Sequence, residues 1–457
     1  MNCGDLTLKL AMTGYWKEQM LGFSPNLFCE RRKMVFSNLG ESVLVLTSGS
    51  IRNKPRDTES PFRPDSDFFY FTGVCEPDSV AILRPSGSDG DLLLFVPSRD
   101  LDKERWTGER MGPEEIKEEY GATAVYGRHQ LAEYFPNLLT NTDKIYFRIG
   151  SDQQVQDLVF ASLKATRLYK PRRGKGPQGV LDPGCILDEM RLLKDDEELD
   201  RIRRAAQITS ESFCEMLRHC SPGTGEWELA AALEFGFRKR GASRAAYPTI
   251  VGSGRNSCVL HYSDNGRRLE EGDLVLVDGG AEVDLYAGDI TRTFPVSGSF
   301  STIQKAVYEV VQRAHECAIN VVAPGVALDS IHRVAVSRLV EGLLDLDVLA
   351  GSAEEIIAKG TYKKFFPHQT SHWLGLDIHD VGDYFVGDQS RILQPGMVLT
   401  VEPGLYFPPL IEGVEEFFGI GVRIEDDLLV TSEGSELLAF SLPVDAEEVT
   451  SLLKDQQ

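Results

Sequence analysis

Short apolar runs separated by turn residues dominate the first third of the chain. They occupy residues 41–47, 80–84, 91–96 and 144–149 and are rich in valine, isoleucine and phenylalanine. Runs of this length and composition between turn residues are typical of buried strands. Helical patterns lie between some of them, so we predict a mixed α/β domain in this part of the chain.

A basic stretch then interrupts the periodic pattern. Residues 170–177 read KPRRGKGP, and the turn-rich sequence LDPG follows at 181–184. Because glycine and proline end regular elements, we place a domain junction near residue 184, although the charge run is also compatible with a solvated loop. From Asp188 to about Cys220, apolar residues recur at helical spacing, which predicts a helix at the start of the second domain.

The second domain contains a weak internal repeat. Leu269–Gly280 reads LEEGDLVLVDGG and Leu393–Gly404 reads LQPGMVLTVEPG, which aligns Asp278 with Glu402 at an offset of 402 − 278 = 124 residues. Coincidence is one explanation, because a polar turn before a strand is common. The other is a fold of two similar halves, each ending a buried strand in an acid that faces a shared centre. Helical patterns separate the two halves, at 304–322 and 328–342, so we predict strands covered by helices.

Composition excludes several classes of function. A chain of 457 residues suggests two or three domains. The 48 basic and 70 acidic side chains give a net charge of −22, which disfavours nucleic acid as a partner. We find neither a membrane-spanning apolar run nor a signal-peptide pattern, so we predict a cytoplasmic protein with no membrane partner. The eight cysteines lack a C-x-x-C pair, which predicts buried, reduced thiols.

Four acidic residues lie at the ends of apolar strands. If the runs 274–278 and 289–293 pair as a hairpin, Asp278 and Asp289 can lie side by side, while Glu402 ends the run MVLTVEPG and Glu425 lies in GIGVRIEDDLLV. An isolated carboxylate is costly in a protein interior. Two carboxylates at such a short distance repel each other unless one is protonated or a cation bridges them.

A cluster of histidines accompanies these acids in HQTSHWLGLDIHD. Taken singly, each acid can be a turn or strand-end residue and each histidine a satisfied core residue. Together, four acids and one histidine could balance two divalent cations and leave a coordination position for water, which predicts a di-metal hydrolase site. Oxygen ligands with a single imidazole favour Mn²⁺, then Co²⁺ or Fe²⁺, while the affinity order would also let Zn²⁺ bind in vitro.

Five motifs together resemble aminopeptidase P, the Xaa-Pro aminopeptidase of the pita-bread metallopeptidases. In chain order they read YPTIVGSGRNSCVLHY, LVDGGAEVDLYAGDITRTFPVSG, HQTSHWLGLDIHDVG, PGMVLTVEPGLY and GIGVRIEDDLLV. The first domain resembles the same family in SDFFYFTGVCEPDSV and DKERWTGERMG. The resemblance implies a mixed α/β (α+β) chain. Its pseudo-two-fold pita-bread catalytic domain, at 185–457, would follow a smaller N-terminal domain, at 1–184, that serves oligomerisation and pocket closure.

The resemblance also implies roles for individual residues. The implied metal ligands are Asp278, Asp289, His372, Glu402 and Glu425, with Asp289 and Glu425 bridging both ions. The implied catalytic and supporting residues are His261, His379, His368 and Arg423, and the implied pocket residues are Tyr406 and Trp106. Family members form dimers or tetramers, and one of their tryptophans closes the substrate pocket of a neighbouring subunit. Trp106 matches that tryptophan. The alternative is that Trp106 is a partly buried core residue.

These assignments predict a reaction on peptides with proline at the second position. The bond before proline has no N–H and a fixed φ, so it needs a dedicated site. We expect a hydroxide that bridges two metal ions to attack the carbonyl before proline. Glu402 would carry the proton to the proline nitrogen, and His379 and His261 would donate to the oxyanion or the substrate backbone. The alternatives are an Xaa-Pro dipeptidase and a metal-free pita-bread interaction module.

Overall fold

A computed structural model describes residues 22–52, 54, 58–86, 90–173, 175–409, 411–439 and 442–456. The chain divides into two compact units, Met1–Asp188 and Glu189–Gln457. Helix α7, Gly184–Leu192, spans this division, which lies slightly beyond the junction predicted near residue 184.

The first unit contains a mixed sheet and its helices. The strands are β1 Val43–Thr47, β2 Val80–Arg84, β3 Asp91–Val96, β4 Ala124–Gly127, β5 Ile145–Tyr146 and β6 Val180–Leu181. The helices are α1 Pro25–Leu39, α2 Ser66–Thr72, α3 Leu101–Thr107, α4 Pro113–Tyr120, α5 Leu131–Leu138 and α6 Gln153–Arg173. The described strands are ordered β4-β3-β2-β1-β5-β6. The four apolar runs of the sequence therefore form strands, as predicted.

The start of the basic stretch at 170–177 is helical, whereas the sequence predicted an interruption of regular structure there. Helix α6 continues through Arg173, so the first part of KPRRGKGP is the end of a helix and not a linker. Val155, Val159 and Leu163 are buried at a spacing of four residues, and this apolar face packs the helix against the domain. This buried face lies in the first half of α6, and the last turns extend the helix into the basic stretch.

The second unit contains the remaining elements. The helices after α7 are α8 Asp196–Met216, α9 Glu226–Lys239, α10 Thr302–Ile319, α11 Asp329–Asp345, α12 Ala353–Lys359 and α13 Ala446–Gln456. The strands are β7 Arg244–Ala245, β8 Ile250–Ser253, β9 Leu274–Gly279, β10 Ala281–Val283, β11 Tyr286–Ala287, β12 Ile290–Pro295, β13 Phe385–Val386, β14 Gln389–Ser390, β15 Val398–Val401, β16 Gly404–Tyr406, β17 Gly421–Arg423, β18 Asp426–Val430 and β19 Ser435–Leu437. Helices α10 and α11 cover the sheet β15-β18-β19, so the mixed α/β class is confirmed.

The helix predicted from Asp188 to Cys220 is in fact two helices. Asp195 caps α8: its side chain accepts from the Glu198 N–H at 3.0 Å, and the Glu198 side chain accepts from the Asp195 N–H at 3.1 Å. This capping box satisfies donors that a continuous helix would not leave open. Apolar spacing alone did not reveal the break.

Two antiparallel strand pairs carry the strand-end acids. Strand β9 pairs with β12, with Asp278 opposite Thr291, which confirms the predicted hairpin pairing, and Asp289 directly precedes β12. Strand β15 pairs with β18, Glu402 directly follows β15 and Glu425 directly precedes β18. An isolated bridge between Thr291 and Glu425 joins the two pairs, so both halves bring their acids to one place.

A buried ion cluster lies beneath these strands. The Arg292 guanidinium is 2.7 Å from the Asp426 carboxylate, and His315 Nε2 is 3.1 Å from the same carboxylate. Arg292 also donates to the backbone carbonyl of Glu425 at 2.7 Å and to that of Leu442 at 3.0 Å. The cluster therefore ties β12 to β18 next to the strand-end acids Asp289 and Glu425.

Two other predictions concern the whole chain. Among the described cysteines, Cys220 is buried as predicted and Cys185 is exposed, so the prediction of buried thiols is wrong there. The partly buried cysteines are Cys29, Cys75, Cys214, Cys258 and Cys317. Cys3 lies outside the described residues. None of the described helices combines the length and the apolar composition needed to cross a bilayer.

Candidate metal centre

Acids from both strand pairs surround His372. Its Nε2 lies 3.4 Å from Asp289 Oδ2, 3.8 Å from Glu402 Oε1 and 3.9 Å from Glu425 Oε1. Asp289, His372 and Glu425 each offer one ligand atom, and these atoms lie within 4.8 Å of one another. Residues far apart in sequence thus form a buried cluster with the atoms that divalent ions bind.

Tyr247 connects Asp278 to this cluster. Its hydroxyl lies 2.5 Å from Asp278 Oδ1 and 2.5 Å from Asp289 Oδ1. Tyr247 is not among the site residues predicted from the sequence. Its signal was its place in the motif YPTIVGSG, just before strand β8, whose Ile250 pairs with Asp278.

Arg423 joins the acids to a hydrogen-bond network. It donates to Asp278 Oδ2 at 2.6 Å and to the Tyr406 hydroxyl at 3.0 Å. Its Nε donates to Thr291 Oγ1 at 3.2 Å, and Thr291 donates to Glu425 Oε2 at 2.7 Å. One guanidinium therefore supports acids of both halves. Tyr406 is buried, so its hydroxyl serves this network.

The other predicted histidines lie around the same cluster. The rings of His372 and His379 are 4.5 Å apart, and His368 Nδ1 lies 3.4 Å from Glu402 Oε2. His368 Nε2 is 2.9 Å from the Tyr406 hydroxyl. Burial, helped by the charge of Arg423, lowers the pKa of His368 to about 3. His261 and His379 are exposed, so solvent reaches both side chains.

Burial and mutual repulsion perturb the acids of the cluster. Burial raises the pKa of Glu402 to about 7, and burial together with the charge of Asp289 raises the pKa of Glu425 well above its usual range. Burial lowers the pKa of His372, but its hydrogen bond to Asp289 and the charge of Asp289 outweigh that effect and raise it to about 9. Divalent ions would relieve this repulsion, and an oxygen-rich donor set with one imidazole fits them.

Asp427 is a further buried acid that is not among the predicted site residues. It is fully buried, and its Oδ2 accepts from the Asp289 backbone N–H at 2.9 Å. Burial, together with the charge of Asp289, raises its pKa well above the usual range. The paired acids in RIEDDLLV were the available signal, but only the fold shows which of them faces the cluster.

Trp106 lies in the other unit of the chain. It is on helix α3, which has no buried residue, and it is 89% exposed. A partly buried core tryptophan is therefore wrong for this position.

Both units match known families. Residues 200–432 match metallopeptidase family M24, and residues 28–146 match the N-terminal domain of aminopeptidase P. The chain is 38% identical over 429 residues to Xaa-Pro aminopeptidase from Escherichia coli strain K12, covering 93% of this chain and 97% of that protein.

Solved structures support the same family assignment. Aminopeptidase PepP from Pseudomonas aeruginosa superposes with a TM-score of 0.91 at 38% identity, over 95% of this chain and 99% of that one. The zinc-substituted aminopeptidase P from E. coli in complex with product gives the same TM-score, identity and coverage. These matches confirm the pita-bread architecture with its N-terminal domain, and they favour the aminopeptidases over the dipeptidase alternative. The chain belongs to metallopeptidase family M24, among its aminopeptidase P members.

Proposed function

We propose that this chain hydrolyses the peptide bond between an N-terminal residue and a following proline. The observation that carries the proposal is the convergence of acids from both halves on His372. Asp278 and Asp289 come from the first strand pair and Glu402 and Glu425 from the second. A family of metallopeptidases with this architecture supplies the reaction class.

We further propose that the cluster holds two divalent ions, Mn²⁺ in the first place, with Co²⁺, Fe²⁺ or Zn²⁺ as alternatives. Asp278, Asp289, His372, Glu402 and Glu425 would hold them, and the carboxylates of Asp289 and Glu425 would contact both. When bound, such ions polarise a carbonyl and lower the pKa of a water molecule toward neutrality. Hydrogen bonds from Tyr247, Arg423 and Thr291 already fix the acids, which limits their rearrangement.

The remaining steps belong to side chains of the protein. The Glu402 carboxyl, 3.8 Å from His372 Nε2, would take up a proton from the attacking water. It would deliver that proton to the proline nitrogen as the bond breaks. His379 and His261, which are exposed beside the cluster, would donate hydrogen bonds to the carbonyl oxygen or to the substrate backbone.

The substrate test compares three peptides: an Xaa-Pro dipeptide, an Xaa-Pro-Xaa tripeptide and the tripeptide with alanine in place of proline. We expect release of the N-terminal residue from the proline tripeptide and little cleavage of its alanine counterpart, measured by liquid chromatography. Cleavage of the dipeptide alone would establish a dipeptidase. Activity unchanged by a chelator would revive the metal-free alternative.

Metal affinity should fall as the solution is acidified. The raised pKa values of His372 and Glu402, about 9 and about 7, mean that protons occupy both groups below those values. A cation must displace them, so the apparent Kd for Mn²⁺ should rise about tenfold per pH unit for each displaced proton between pH 8 and pH 5. Calorimetry in buffers of different ionisation enthalpy measures the released protons. A Kd independent of pH, with no proton release, would contradict the proposed ligands.

We also propose that the chain forms a homodimer or homotetramer, with the N-terminal domain serving oligomerisation and pocket closure. The exposed Trp106 side chain supports this role, because an exposed tryptophan is typical of interface positions. The cytoplasmic location, and the absence of nucleic acid or membrane partners, stay predictions from composition.

A further inference from the structure

Glu226 is a fully buried carboxylate that does not belong to the metal-site cluster. It is the first residue of helix α9, and its exposure is 0%. A buried carboxylate is costly unless hydrogen bonds compensate its charge. Its contacts therefore indicate which part of the molecule depends on it.

Both carboxylate oxygens of Glu226 accept hydrogen bonds from one connecting segment. Oε1 accepts from the Ser253 N–H and hydroxyl, each at 2.7 Å, and from Asn256 Nδ2 at 3.1 Å. Oε2 accepts from the Arg267 N–H at 2.7 Å and from the Tyr262 hydroxyl at 3.0 Å. The backbone N–H of Glu226 donates to the Arg267 carbonyl at 2.9 Å. One residue thus holds the start, middle and end of the connection between β8 and β9.

That connection carries His261. The neighbours of His261 in sequence, Leu260 and Tyr262, pack against Ile250, Leu276 and Tyr406. Leu276 is on strand β9 with Asp278. The Tyr406 hydroxyl lies 2.9 Å from His368 Nε2 and accepts from Arg423 at 3.0 Å, so the segment that carries His261 packs beside the same centre. Its own side chain is exposed, and its position depends on the backbone that holds it.

We propose that Glu226 is a positioning residue that fixes the segment from Ser253 to Arg267 and thereby places His261 at the substrate. This inference rests on the proposed function, in which His261 contacts the substrate. A displacement of about 1 Å in a substrate-contacting group can lower a rate by about a hundredfold. Without the carboxylate, Ser253, Tyr262 and Arg267 lose their shared acceptor, and the segment between them loses its fixed geometry.

The test is a double-mutant cycle on the Xaa-Pro-Xaa tripeptide. Glu226→Gln keeps the side-chain shape but turns an amide N–H₂ toward the backbone N–H of Ser253 or Arg267. We expect kcat/KM to fall about tenfold to a hundredfold, with metal content unchanged. Because Glu226 acts through His261, the double variant with His261→Ala should match His261→Ala alone within about twofold. Glu228→Gln, on the same turn of α9 with a side chain 49% exposed, should match the wild type.

Each result decides the inference. Losses that multiply in the double variant would show that Glu226 acts on something other than His261 and would overturn the proposal, as would wild-type kcat/KM in Glu226→Gln. A wild-type rate in His261→Ala would remove the premise. Failure of the proposed function itself is separate, since the wild-type protein would then not cleave the tripeptide. If Glu226→Gln does not fold, Tyr262→Phe, which removes one donor to Glu226, takes its place in the same cycle. Tyr262→Phe should lower kcat/KM by a smaller factor, and it should cause no further loss when it is combined with His261→Ala.

Discussion

Replacing Asp289 with Asn should lower the rate of Xaa-Pro cleavage by on the order of a thousandfold or more, about 4 kcal/mol of barrier. Asp289 Oδ2 is 3.4 Å from His372 Nε2, and its Oδ1 contacts Tyr247. The amide keeps the size of the side chain but removes the charge that would contact both ions, so metal content should fall with activity. Steady-state kinetics and metal analysis of the purified variant measure both effects.

A matched control is Asp345→Asn, the same change at an exposed residue in the last turn of α11. It should retain wild-type rates and metal content, and both variants should give the circular dichroism spectrum of the native fold. An Asp289→Asn protein that holds its metals and cleaves proline peptides normally would show that the ligand assignment is wrong.

Replacing Arg292 with Leu should destabilise the second unit by about 3 to 5 kcal/mol. The guanidinium is buried and holds Asp426, which is itself fully buried, at 2.7 Å. Its removal leaves the Asp426 carboxylate with the His315 imidazole, at 3.1 Å, but without the guanidinium, and also deprives the carbonyls of Glu425 and Leu442 of a donor. The midpoint of urea unfolding, followed by a signal from this unit, measures the loss.

The matched control here is Arg333→Leu. Arg333 is on helix α11 and pairs with Asp329, but its side chain is 65% exposed, so its loss should change stability by less than about 1 kcal/mol. If both variants unfolded at the same urea concentration, the buried cluster would not be a major source of stability.

The strand-end acids could be predicted as site residues from the sequence, because charged residues are unusual at the ends of buried strands. The apolar run before Asp278 predicts a buried strand. A carboxylate at the end of such a strand is costly unless a charged or hydrogen-bonding partner compensates it. The run after Asp289 alternates in the same way, and the two strands pair as expected. The break at Asp195 was missed because apolar spacing continues across it, while the capping hydrogen bonds depend on two polar side chains.

Residues that hold the site were harder to predict than residues that form it. Tyr247 and Glu226 each act through hydrogen bonds to residues more than twenty positions away, and apart from the place of Tyr247 in its motif no local pattern distinguishes them from other polar residues. Asp427 was hidden in the same way, since the direction of its side chain depends on the register of β18 against β15. Contacts of this kind come from tertiary structure and leave no periodic signal.

The joining of two strand pairs also bears on how the protein matures. Asp278 and Asp289 are synthesised long before Glu402 and Glu425, so a growing chain carries the first two acids while the other half of the donor set does not yet exist. Tight capture of the proposed ions would then await the later strands. The proposed ion site would therefore be complete only when strands from both halves of the catalytic unit have come together.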